Sequence, residues 1–129
     1  MQPKVRVAFH ILNAAMLVFF VIAIALQVND PDGIVWMTIY GYATVVTALA
    51  FQRIPILLSC FGTVAYLIFA YVHFPVLDGP FLENEAARES GGLIITGAYM
   101  LVLSIIWLWS WRRAARIYAG NAQSQVHSG

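Results

Sequence analysis

Charge is what this sequence has least of. Seven lysines and arginines and six aspartates and glutamates are spread over 129 residues, so that 10% of the chain is charged, where an ordinary soluble domain carries about 25%. A single cysteine, Cys60, excludes an internal disulfide framework and leaves no cysteine pair for a zinc site. A net charge of +1, with no basic run outside the C-terminal end, argues against a nucleic-acid partner. The nucleophile elbow, the phosphate loop, the HExxH zinc motif and the Cys-based haem attachment motif are all missing, as is any Asn-x-Ser/Thr sequon. Disorder needs low hydrophobicity, and this chain has the opposite.

What is there is apolar. Hydrophobic residues make up 61% of the chain and the mean hydropathy is +0.79, more than a domain of this size could hide from water. The class that remains is a small polytopic membrane protein. A charge at the bilayer centre costs about 2.5 to 3.5 kcal/mol on insertion scales, so spans are found where charge is absent. Four stretches carry none: residues 7–27, 34–52, 54–74 and 91–111. Each is close to the ~20 residues that cross a ~30 Å hydrocarbon core as a helix. Lipid offers no partner to free backbone groups, and the segments are too long and unalternating for barrel strands. The predicted fold is all-α, a four-helix transmembrane bundle forming one domain over residues 1–118, with a small, polar, flexible tail over 119–129. Lys4 and Arg6, followed by an apolar run and Ala23-Ile24-Ala25, resemble a signal peptide, but the first span exceeds the usual h-region of about 7 to 15 residues and reads as a span.

The charges between the spans sort by sign. Lys4, Arg6, Arg53, Arg112, Arg113 and Arg116 fall on one side; Asp30, Asp32, Asp78, Glu83, Glu85 and Glu89 fall on the other, with Arg88 the one base among them. The positive-inside rule makes both termini cytoplasmic and turns the acidic loops outward. In a bacterium this is a multi-pass protein of the inner membrane with its acidic loops on the periplasmic side. Trp107, Trp109 and Trp111 fit an aromatic belt at the inner interface, and Trp36 with Tyr40 could begin one at the outer interface.

Two outer segments carry the distinctive chemistry. In Asn29-Asp30-Pro31-Asp32-Gly33, Asp30 suits an N-cap, Pro31 a first helical position and Asp32 the positive end of the helix dipole. The same carboxylates also offer oxygen ligands to a hard cation. In the second segment, Glu85, Arg88 and Glu89 share a helix face, continued by Gly92, Thr96 and Tyr99, so the fourth helix should start above the membrane and pack through this stripe. The alternatives here are an Arg-bridged, solvated helix start and a binding site. His73 ends the third span on the same side. Asp30, Asp32, His73, Glu85 and Glu89 are therefore the candidate ligands of a divalent metal, and the imidazole would favour Mn, Fe or Zn over calcium; no other cofactor is implied. His10 and Asn13, near the inner end of the first span, read as a packing or headgroup contact.

Asn29-Asp30-Pro31-Asp32 closing the first span, Trp36 and Tyr40-Gly41 in the second, and Glu85-Ala86-Ala87-Arg88-Glu89 with Gly92-Leu93 opening the fourth resemble the transmembrane protein 220 family. The resemblance extends from Val7 to Trp111. It implies a compact four-helix membrane protein without an assigned activity or catalytic residues. With no acid or base inside a span, a proton or ion path lacks its usual residues. The sequence thus favours a non-enzymatic accessory or interaction subunit with an acidic outward face. An outward-facing divalent-metal or cation site is the first alternative, and a membrane-embedded enzyme or transporter is the second. The partners expected are the lipid bilayer and a larger membrane complex or a second copy of the chain.

Overall fold

In a computed structural model, the chain is described over residues 3–74 and 85–126, with side chains described over 3–74 and 87–118. Four helices and no strand occur among them: α1 (Pro3–Leu26), α2 (Gly33–Ala50), α3 (Ile56–His73) and α4 (Glu85–Val126). All four are long and apolar enough to cross a membrane, as the charge-free stretches predict. At about 1.5 Å per residue, the 42 residues of α4 reach roughly 60 Å, twice the hydrocarbon thickness. Helix α4 therefore projects from the bilayer, beginning early as its Glu85–Glu89 segment predicts. It also continues as helix through Val126, past Ala119, where composition alone suggested a loose tail.

The helices form two hairpins. Helix α3 lies closest to α4 and α1 closest to α2, whereas α2 and α3 touch lightly. Small residues allow the close approaches inside the second hairpin, as expected where lipid supplies no hydrophobic drive between helices. A Cβ on Gly97 would stand 3.0 Å from the Leu67 side chain, and one on Gly62 3.3 Å from that of Met100. The two hairpins meet through long side chains instead. Phe20, Trp36, Tyr40, Tyr66, Tyr99, Met100 and Leu103 fill the core between them. Gly92, Thr96 and Tyr99 are buried, so the stripe predicted to pack does so.

Trp36 and Tyr40 correct an expectation. They do not begin an interfacial belt: both are buried, at 4% and 5% exposure, because α2 turns that face toward α3 and α4. At the other end Trp109 and Trp111 are exposed, and the Arg113 guanidinium sits 4.3 Å from the centre of the Trp109 ring, a cation–π contact suited to an interface.

Candidate functional site

The loop joining α1 to α2 is a run of tight turns. Asp30 N–H bonds the Gln27 carbonyl at 3.2 Å, and Gly33 N–H bonds the Asp30 carbonyl at 3.1 Å. A Cβ on Gly33 would come within 2.0 Å of the Gln27 carbonyl oxygen, so only glycine fits there. Helix α2 then starts at Gly33, with Asp32 and not Asp30 at the N-cap position. No side-chain cap forms. The Asp32 carboxylate accepts a hydrogen bond from the Trp36 indole N–H at 2.9 Å, and this long-range-looking partner is simply one helical turn away.

Trp36 also organises His73. The His73 ring meets it edge-on at 6.3 Å and stacks on Phe69 at 5.6 Å, with Nδ1 3.1 Å from the Phe69 carbonyl. The backbone carbonyl of His73 accepts from the buried Ser90 hydroxyl at 2.9 Å, which ties the end of α3 to the start of α4. Asp32 and His73 thus share Trp36 as a neighbour.

Asp30 and Glu89 go elsewhere. Together with Leu26, Gln27, Tyr40 and Arg88 they line a cleft of about 370 Å³ at the end of the bundle where α1 runs into α2. Tyr40 forms its floor, with its hydroxyl packed over Gly92, where a Cβ would meet it at 2.2 Å. Directly below, a second hollow of about 340 Å³ shares Leu26, Gln27, Tyr40 and Arg88 with the first and descends between α1 and α4 along Phe19, Ile22, Ala23 and Ile95. Of the five predicted ligands, Asp32 and His73 therefore lie against Trp36 while Asp30 and Glu89 line the cleft. Asp78, Glu83 and the side chain of Glu85 lie outside the described residues. Among the described residues no three His, Cys, Asp or Glu side chains gather as a metal site. Sequence reasoning missed Gln27 and Tyr40 as cleft residues; a tyrosine four residues after Trp36 on an otherwise apolar face was the available signal.

A second polar group lies deeper, between the middle of α1 and the C-terminal end of α2. Asn13, fully buried, donates through Nδ2 to the Thr47 carbonyl at 3.0 Å and accepts from the Tyr99 hydroxyl. Thr47 contributes one of the last four carbonyls of α2, which the helix end deprives of regular donors, and the Phe51 N–H goes to Ala48 instead. An amide from α1 caps α2, and a phenol from α4 holds the amide. His10 stacks on Phe51 at 5.9 Å, so His10 and Asn13 both make packing contacts with α2 and its end, the first of the two roles expected of them. Tyr66 likewise donates to the Ile39 carbonyl, and Tyr42 to the Leu58 carbonyl at 2.8 Å.

Four apolar helices of spanning length, paired as hairpins, make this a multi-pass integral membrane protein. The family follows from the sequence: the model described as "Transmembrane family 220, helix" matches residues 19–105, two thirds of the chain, and the chain belongs to that family. No solved structure matches it.

Proposed function

We propose that this chain is a non-enzymatic accessory protein of the membrane that recognises a positively charged group at its outer face. The observation that carries this reading is the cleft: two carboxylates, Asp30 and Glu89, and the Tyr40 hydroxyl line it with one base, Arg88. The polar groups buried among the spans serve another purpose: Asn13 and Ser90 bond carbonyls of neighbouring helices, and the Thr47 and Thr96 hydroxyls bond carbonyls of their own. Arg53, between α2 and α3, and Arg112, Arg113 and Arg116 within α4 support an orientation with both termini in the cytoplasm and the cleft on the periplasmic side of a bacterial inner membrane. The surrounding bilayer is one partner, and a larger complex or a second copy, docked on the lipid-facing helices, is the other.

A divalent metal is the second reading of the same place, favoured by Asp30 and Glu89 sharing one cleft, without Asp32 and His73, which lie against Trp36. One titration separates the two. Thermal unfolding of the detergent-purified protein is followed with added ethanolamine and, separately, Mn2+ or Zn2+. Ethanolamine is expected to raise the midpoint, and the double variant Asp30→Asn/Glu89→Gln is expected to abolish the rise. Stabilisation by the metal alone, with stoichiometric metal by elemental analysis, would support the second reading. No response to either cation would overturn both.

A further inference from the structure

The cleft does not end at its charged residues. Leu26, Gln27, Tyr40 and Arg88 line both it and the hollow beneath, so the two are one continuous groove between the hairpins, charged at the top and apolar below. Its walls are sorted by depth as the leaflet itself is sorted. Leu26 and Ile22 on α1 and Ile95 on α4 are exposed on the groove's rim, which leaves the apolar part open sideways to lipid. A soluble cation would use the top alone and leave the groove below without an occupant.

From this continuity we propose that the groove seats one zwitterionic phospholipid taken laterally from the outer leaflet, with its ammonium between Asp30 and Glu89, its phosphate against Arg88 and one acyl chain running down past Ala23. The proposal rests on the reading of the cleft as a cation site and adds the anion and the chain. Charge complementarity selects the headgroup. Arginine matches a phosphate with its planar fork of donors, and carboxylates match an ammonium. A zwitterion presents both charges at once, whereas an anionic lipid would satisfy Arg88 and set its remaining surroundings against two carboxylates. Gly92 lets the Tyr40 hydroxyl pack directly on α4, and Ala23 presents only a methyl group to the wall of the lower hollow.

The test is native mass spectrometry of the full chain released from mixed vesicles of phosphatidylethanolamine and phosphatidylglycerol with identical acyl chains. One bound phosphatidylethanolamine is expected to be retained about tenfold over phosphatidylglycerol, the scale of a single charge-assisted contact. Ala23→Phe should abolish that retention while the thermal response to free ethanolamine persists. Ile95→Trp, on the exposed rim where folding tolerates bulk, should do the same and covers the case in which Ala23→Phe fails to fold. Asp30→Asn/Glu89→Gln should remove both signals. Equal retention of the two lipids, or unchanged retention in both groove variants, overturns the lipid proposal while an intact ethanolamine response leaves the cleft reading standing. Loss of the ethanolamine response in the unmodified protein overturns the two together.

Discussion

Polar groups occur at two levels between the hairpins, and they differ in kind. Deep in the seam, Asn13, Thr47 and Tyr99 are neutral, buried and mutually satisfied. At the mouth of the cleft, Asp30, Arg88 and Glu89 are charged and border open space. The solvent explains the difference. An amide or phenol can enter the hydrocarbon region when every donor meets an acceptor, and it then joins helices that lipid gives no other reason to associate. A carboxylate at that depth would cost several times as much. Charge between the hairpins is confined to the mouth, where it borders the cleft. The deep group joins helices, and the rim group lines the cleft on which the proposed recognition rests.

The variant with the largest expected effect breaks this separation. Gly92 lies between the two levels, with the Tyr40 hydroxyl filling the place of a Cβ. Gly92→Val displaces Tyr40 from the seam and from the cleft floor at once. Overpacking of this kind costs about 1 to 3 kcal/mol, and the backbone-close position puts Gly92→Val at the upper end. A thermal midpoint within about 1 °C of the unmodified protein would show that the hairpins can part there freely.

Asn13→Leu comes next and acts on the deep group alone. It strands the Thr47 carbonyl at the end of α2 and takes the Asn13 acceptor from the Tyr99 hydroxyl, for a loss of about 1 to 3 kcal/mol. Tyr99→Phe in the Asn13→Leu background should then cost little, because its partner is already gone. Additive losses in this double-mutant cycle, read from unfolding in mixed detergent, would sever the proposed link. Any effect on ethanolamine binding should be absent.

The deep and rim groups were not equally legible in the sequence. The spans could be read off because charge in hydrocarbon is forbidden, and that rule is local: it needs only the position of each acid and base. Which side of the bundle a residue faces depends on packing between helices distant in sequence. So Asp30, Asp32, His73 and Glu89 could be assigned to one end of the bundle, yet their division between Trp36 and the cleft could not. Asp30 was expected to cap α2 from helix-start preferences, which do not register an indole four residues beyond Asp32 competing for its carboxylate. Trp36 and Tyr40 looked interfacial by composition and proved to be core by rotation of α2. Asn13 was visible as a polar residue in an apolar run, but its partners, 34 and 86 residues away, were not.

Tyr66→Phe has a smaller expected effect than Asn13→Leu for an instructive reason. Its hydroxyl donates to Ile39, whose carbonyl lies within α2 and keeps its regular helical partner four residues on. No acceptor is stranded, so the loss should stay near the ~0.6 kcal/mol average for interhelical polar contacts in membranes. A loss equal to that of Asn13→Leu would mean that capping the end of α2 is not what makes the deep group strong.

The smallest effect on stability belongs to the rim, and it is the sharpest contrast. Asp30 is exposed, and its backbone, not its side chain, makes the turn that places Gly33. Asp30→Asn keeps the shape and the turn while deleting one charge from the cleft, so stability should stay within about 0.5 kcal/mol, as for surface substitutions generally. Binding should not follow stability. The ethanolamine-induced rise in thermal midpoint should shrink in Asp30→Asn and remain whole in Tyr66→Phe, although Tyr66→Phe is the less stable protein. If the two variants instead lose stability and cation response in the same proportion, rim and seam act as one structural unit, and recognition cannot be assigned to the rim alone.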